Sequence, residues 1–251
     1  MKSVEISMVA FACMFGGAML GMYLRTRVPE DHLSAESKGS VSVGIGIIGT
    51  MAGLVLGLLV ASAVGFYASQ KHELTAISAK FLMMDRLLAY YGPEAWPARV
   101  ALRDRVTDTL ARLWPNERPG QKPLPPDVSA SDALYENLRR LAPQNDSQRS
   151  LKASAWNVGL DIANTRWLMF EQQSFPIPKK LLAVVVFWFM VVFASFGLHA
   201  PRNSTVIITF FLCAVSVATA ILLILELYNP FSGLIHLPSD PLRDTLAQLG
   251  R

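Results

Sequence analysis

Four stretches of the chain stay apolar for the length of a bilayer. Residues 6–24 carry no charge between Glu5 and Arg25. Nothing is charged between Lys38 and Lys71, and the apolar part of that stretch covers residues 43–67. Residues 181–198 follow Lys179 and Lys180, and residues 205–225 lie between Arg202 and Glu226. A helix of about 20 apolar residues crosses a membrane, so the pattern predicts four spans. The fourth contains thirteen Val, Ile, Leu and Phe residues, which together favour insertion by roughly 4–8 kcal/mol. The first run is long for a cleaved signal, and no small-x-small site precedes Arg25, so it is read as a retained span.

Between spans two and three the pattern changes to one with a polar side. Leu74, Ile77, Phe81, Met84, Leu88 and Tyr91 step by three and four residues, the seam of an amphipathic helix. No breaker separates this seam from span two. One long helix should therefore leave the membrane and continue to Gly92, with Pro93 opening the next helix. That helix carries Leu102, Val106, Leu110 and Leu113 and ends near Trp114-Pro115. Pro115, Pro119, Gly120, Pro123, Pro125 and Pro126 make a non-helical connector. A short helix is expected over residues 130–141. A long one over 146–175 has Leu151, Ala155, Val158 and Ile162 on one face, and Pro176 and Pro178 stop it. Three or four such helices bury their seams in a bundle.

The expected fold is an all-α integral membrane protein with four transmembrane helices and a helical cytoplasmic domain between helices two and three. Its parts are residues 1–67 (spans one and two), 68–179 (cytoplasmic helices), 180–228 (spans three and four) and 229–251 (C-terminal tail).

Composition sharpens this picture. The chain is 52% hydrophobic and only 17% charged, against about 25% charged in soluble domains, and the charges are concentrated in residues 68–179. The net charge of +4 comes from interspersed basic and acidic residues, so no nucleic-acid footprint stands out. Cys13 and Cys213 lie inside apolar runs and read as buried free thiols. Near the span ends, Lys2, Lys71, Lys80, Arg86, Arg166, Lys179, Lys180 and Arg243 fall on one side. Arg25, Arg27, Lys38 and Arg202 fall on the other. The basic excess marks the cytoplasmic face, which puts both termini and the helical domain in the cytoplasm.

Candidate chemistry is sparse. HExxH, GxSxG, CxxC and Walker signatures are missing, so the sequence predicts no enzyme. His32, His72, His199 and His236 are scattered near the predicted boundaries, without metal-ligand spacing. No metal and no cofactor is expected.

The strongest physical signal is in span two, where Gly49, Gly53, Gly57, Ala61 and Gly65 recur every fourth residue. This smooth stripe allows a neighbouring helix to approach closely, and Gly17 and Gly21 repeat the theme in span one. With the glycines turned to a neighbour, Val55, Leu59, Ser62 and Phe66 occupy a different face, the candidate lining of a hydrophobic pore. Span four ends on Glu226, followed by Asn229, Pro230, Phe231 and Gly233. Pro230 must stop the helix and Gly233 allows a sharp turn. Glu226 is a boundary charge or a group at the cytoplasmic mouth of a pore. On the opposite side, Pro201 breaks span three, and Asn203 or Ser204 can cap span four.

These residues carry a resemblance. The whole chain resembles the bacterial bestrophin-like membrane family. The match rests on residues 56–59, on residues 85–94 with Arg99 and Trp114-Pro115, on Phe196-Gly197 with residues 200–203, and on Glu226 with residues 230–233. Asn229-Pro230-Phe231 is similar to the Asn-Pro-Phe that follows the last span of the more distant bestrophins. Those are pentameric chloride channels with cytoplasmic termini, and their second span lines the pore. The sequence departs from them in lacking an acidic cluster like the calcium clasp and a clear aromatic triplet in span two.

The resemblance implies a multi-pass protein of the bacterial inner membrane, held in the lipid bilayer as a homo-oligomer on the pentameric pattern. It would conduct ions with helix two lining the path and with Glu226, Asn229, Pro230 and Phe231 at the cytoplasmic mouth. The alternative is a membrane scaffold or sensor whose cytoplasmic helices bind a protein partner.

Overall fold

A computed structural model describes residues 2–27, 35–114, 128–174 and 179–250. Among them the chain is helical, without strands. In order come α1 (Lys2–Leu24), α2 (Ala35–Tyr91), a 3-10 turn (Pro93–Ala95), α3 (Trp96–Leu113), α4 (Val128–Arg140), α5 (Asp146–Ser174), α6 (Lys179–His199), α7 (Ser204–Leu227) and α8 (Asp240–Gln248). Four of these are long and apolar enough to cross a membrane: α1, α2, α6 and α7. The proline connector between α3 and α4, the Pro176–Pro178 break and His32 lie outside the described residues.

α2 is one uninterrupted helix of 57 residues, as the missing breaker predicts. Gly92 ends it with a φ of 124°, a left-handed backbone that costs glycine little. The helix belongs to two compact units, divided between Tyr67 and Ala68.

The first unit contains Met1–Tyr67, Pro176–Asn229 and Gly233–Ile235. Its centre is the contact of α1 with α6, which run parallel. A Cβ on Gly17 would lie 3.0 Å from the Met190 carbonyl oxygen, and one on Gly21 would overlap the Ala194 carbonyl. From the other side, a Cβ on Gly197 would overlap the Ala18 carbonyl. α7 closes this core antiparallel to α1, with Ala214, Ala218, Ile221 and Leu225 packed beside Ala10, Met14, Ala18 and Phe193. The Ser7 hydroxyl donates to the Ala218 carbonyl at 2.6 Å. Asn203 caps α7, its Oδ1 accepting the Val206 N–H at 2.9 Å. Cys13 and Cys213 are both free; Cys213 is exposed on the outer face of α7, so it is not the buried thiol its apolar run suggests.

The second unit contains Ala68–Phe175, Pro230–Ser232 and His236–Arg251. The predicted seam of α2 is its core: Leu74, Ile77, Phe81, Met84, Leu88 and Tyr91 are all buried, each worth about 1.5–3 kcal/mol. Leu102, Val106 and Leu110 of α3 and Ala155, Val158 and Ile162 of α5 join them. α5 runs antiparallel to the lower part of α2. Gln148 donates to the Tyr91 carbonyl at 2.9 Å, Gly159 faces the end of Met84, and Lys80 donates to the Thr165 hydroxyl at 2.8 Å. The C-terminal tail contains α8. Leu242 and Leu249 are buried, and Arg103 donates to the Leu249 carbonyl at 3.0 Å. Pro241 at the start and the 242–245–249 spacing are the signals that mark this helix in the sequence.

Candidate functional site

The candidate site is built from the membrane part of α2 and the end of α7. Val55, Leu59 and Phe66 come from the apolar run of α2, which has no charge to hold it at the surface. Leu59 is buried with Ala63, Val185, Ile224 and Leu227, and Val55, Leu56, Val60 and Tyr67 pack around this cluster. Ser62 lies within hydrogen-bonding distance of the Tyr228 hydroxyl, 3.0 Å. The Phe66 ring leans on Tyr228, centroid to centroid 5.2 Å at 31°. Of the face expected to be open, Leu59 is thus buried against α6 and α7 of the same chain, Val55 and Phe66 are half-buried, and Ser62 is exposed.

The glycine face has the opposite fate. At Gly53, Gly57 and Gly65 an added Cβ would meet nothing within 4 Å, and at Gly49 only Val192, at 3.9 Å. Within one chain the large side chains around Leu59 are the more covered and the glycines the more open. The reason is chemical: the larger apolar side chains gain more from burial against α6 and α7 than glycine does. Leu54 and Leu58 lie beside the glycines and are largely exposed. In its most apolar window α2 is only 11% buried, against 33%, 28% and 22% for α1, α6 and α7.

At the end of α7 the chain wraps around a carboxylate. Glu226 is 4% exposed, and its Oε2 accepts the Leu234 N–H at 2.5 Å. Gly233, at φ 143°, comes so near that a Cβ there would lie 3.2 Å from the Glu226 carboxyl carbon. Asn229 returns its side chain to the Leu225 carbonyl at 2.7 Å and its N–H to the Glu226 carbonyl at 2.9 Å. Glu226 and Asn229 therefore organise the turn after span four. Pro230 and Phe231 belong to the other unit. There the Pro230 carbonyl accepts the Leu237 N–H at 2.7 Å, and Phe231 meets the edge of Trp114 at 5.6 Å. Trp114 in turn donates its indole N–H to the Leu237 carbonyl at 2.8 Å.

One pair carries more than its motif revealed. Asp85 of α2 and Arg99 of α3 form a two-pronged ion pair at 2.8 and 3.0 Å, nearly enclosed. Hydrogen bonding to Asp85 holds the Arg99 guanidinium above its usual range. The readable signal is two opposite charges flanking the Gly92-Pro93 reversal. Among the described residues no group of His, Cys, Asp and Glu could hold a metal ion.

The model of the Bestrophin-like domain matches residues 12–242, which take in the second half of α1, the other three apolar helices, the Asp85–Arg99 pair and the Glu226 turn. The chain belongs to the bestrophin-like family. No curated protein and no solved structure matches it. Family and helices together make it a bestrophin-like membrane protein.

Proposed function

We propose that this bestrophin-like protein is an oligomeric ion channel of the bacterial inner membrane, with both termini in the cytoplasm and α2 beside the path. The observation that carries the reading is the bareness of α2. A span that meets so little of its own chain, with a glycine stripe along its open side, is suited to meet other copies or an enclosed aqueous path. On this reading the path is bordered by Leu54, Gly57, Leu58, Ala61 and Gly65, rather than by Leu59, which the chain buries for itself. The rim of apolar side chains would act as a dewetting constriction.

The test is to measure mass in detergent and ion flux in liposomes on one preparation. Several subunits with flux, altered by Leu58→Ser more than by Leu59→Val, is the expected result. A strictly monomeric protein without flux would sink the proposal. A protein without flux that captures a partner through residues 68–175 would give the function to a scaffold instead.

A further inference from the structure

Between the membrane-spanning helices α1 and α7 runs an open groove of about 260 Å³. Met8 and Phe11 form one wall, and Val215, Thr219 and Leu222 the other. Ser7 and Ala218 are buried at its floor. Phe211 stands at one end, edge to the rings of Phe11 and Phe15 at 5.5 and 5.8 Å between centroids. The other end, at Ser7 and Leu222, lies within about one helical turn of Glu5 and Glu226, where the two apolar runs stop.

Chemistry, length and width together decide what the groove can hold. The hydroxyls at its walls are already bonded inside the protein. Ser7 donates to the Ala218 carbonyl at 2.6 Å, and Thr219 to the Val215 carbonyl at 2.8 Å. No hydroxyl proton is left for an occupant, which favours one that is apolar along its length. From Phe211 to Leu222 the groove follows α7 for about 16 Å. That is the depth of one leaflet, half of a hydrocarbon core of roughly 30 Å. Spread over this length, the volume gives a mean cross-section of about 16 Å². A helix with its side chains is 10–12 Å across and needs roughly 80–110 Å². The groove is too narrow to seat a helix of a second copy and is suited to a single hydrocarbon chain.

We propose that this groove is a lipid site, which holds one acyl chain of a phospholipid from the leaflet at the Glu5–Glu226 end. The chain enters at Ser7 and Leu222, lies along Thr219 and Val215, and stops against Phe211. The headgroup stays outside, so the site reads the chain and not the head. It needs the four spans but no conducting role, and flux or its absence moves none of the outcomes below.

The experiment reconstitutes the full chain in vesicles of phosphatidylethanolamine and phosphatidylglycerol. A small fraction of the phosphatidylethanolamine carries a diazirine in mid-chain. After illumination, peptide mass spectrometry should find more label on Met8, Phe11 and Val215 than on Val9 and Leu212, which are exposed on the same helices outside the groove. Moving the diazirine to phosphatidylglycerol should give the same pattern. Thr219→Trp fills the groove from an exposed position and should abolish the excess label, while Leu212→Trp should leave it. Val215→Trp makes the same test from the neighbouring turn, should Thr219→Trp fold poorly. Label no heavier in the groove than at Val9 and Leu212 overturns the proposal, as does an excess that survives the filling variants. A pattern seen with one headgroup only overturns the reading that the chain alone is recognised. Groove residues that cross-link to a second copy instead give the groove to a subunit contact and overturn it as well.

Discussion

Gly21 and Ala194 meet backbone to backbone, with no room for a side chain between α1 and α6. Gly197 meets Ala18 in the same way from the opposite helix. Overfilling a packed contact costs about 1–3 kcal/mol where neighbours can shift. Here the obstacle is backbone, so the cost falls at the upper end or beyond. Gly21→Val and Gly197→Val are expected to lower the thermal midpoint in detergent sharply and to cut the yield of folded protein.

The glycines of α2 should behave otherwise. Gly57→Leu meets open space in its own chain, so the isolated chain should fold as well as the parent, helped slightly by the better helix former. The channel reading expects the change to appear in subunit number or flux. Size-exclusion with light scattering, beside a liposome flux assay, separates the two effects.

Asp85 and Arg99 are an enclosed pair, and removing one partner leaves a charge buried without its counterion. Such losses cost about 3–5 kcal/mol. Asp85→Ala and Arg99→Ala should each destabilise the helices that follow the membrane, and the double variant by less than the sum. Chemical denaturation followed by far-ultraviolet circular dichroism would measure the non-additivity.

The Glu226 carboxylate holds the turn through the Leu234 N–H, a charge-assisted bond worth about 1.5–3 kcal/mol. Glu226→Ala should loosen residues 230–235, seen as faster proteolysis there. Glu226→Gln, which keeps an acceptor, should be milder. Gly233→Ala should resemble Glu226→Ala, because its φ of 143° strains any side chain.

Burial raises the Tyr135 phenol above its ordinary value, and its hydroxyl donates to the Gly159 carbonyl at 2.6 Å. The unfolded tyrosine ionises near pH 10, while the folded one keeps its proton. Its contribution is therefore complete below that pH and is lost as pH rises toward the folded value. An alkaline unfolding curve should show stability falling above about pH 10. Tyr135→Phe should flatten that fall while costing about 1 kcal/mol at neutral pH.

The sequence makes the helices legible because lipid and water impose different patterns. The 3-4 seam from Leu74 to Tyr91 and the uncharged run before it give α2 without a break. Gly92 and Asn203 mark their ends by backbone and capping chemistry. Face assignment is harder. A glycine stripe announces that a helix can be approached, not whether its own chain does the approaching. Gly21 is filled by α6 and Gly57 is left open, and nothing local distinguishes them. Glu226 reads as a boundary charge because the sequence does not show that eight residues later the chain returns an N–H to it. α8 is short, and its pattern of Leu242, Thr245 and Leu249 covers little more than two turns.

At the C-terminal ends of α1 and α6 each helix borrows an arginine from the other side of the contact. Arg25 donates to the Ala200 carbonyl, and Arg202 donates twice to the Met22 carbonyl, at 3.1 and 2.8 Å. Each guanidinium answers the negative end of the helix that it does not extend. Sliding one helix along the other would release both ties at once and drive Gly21 and Gly197 into carbonyls. The pair behaves as a riveted frame, and on the channel reading the opening of a passage falls to α2 or α7 moving against it.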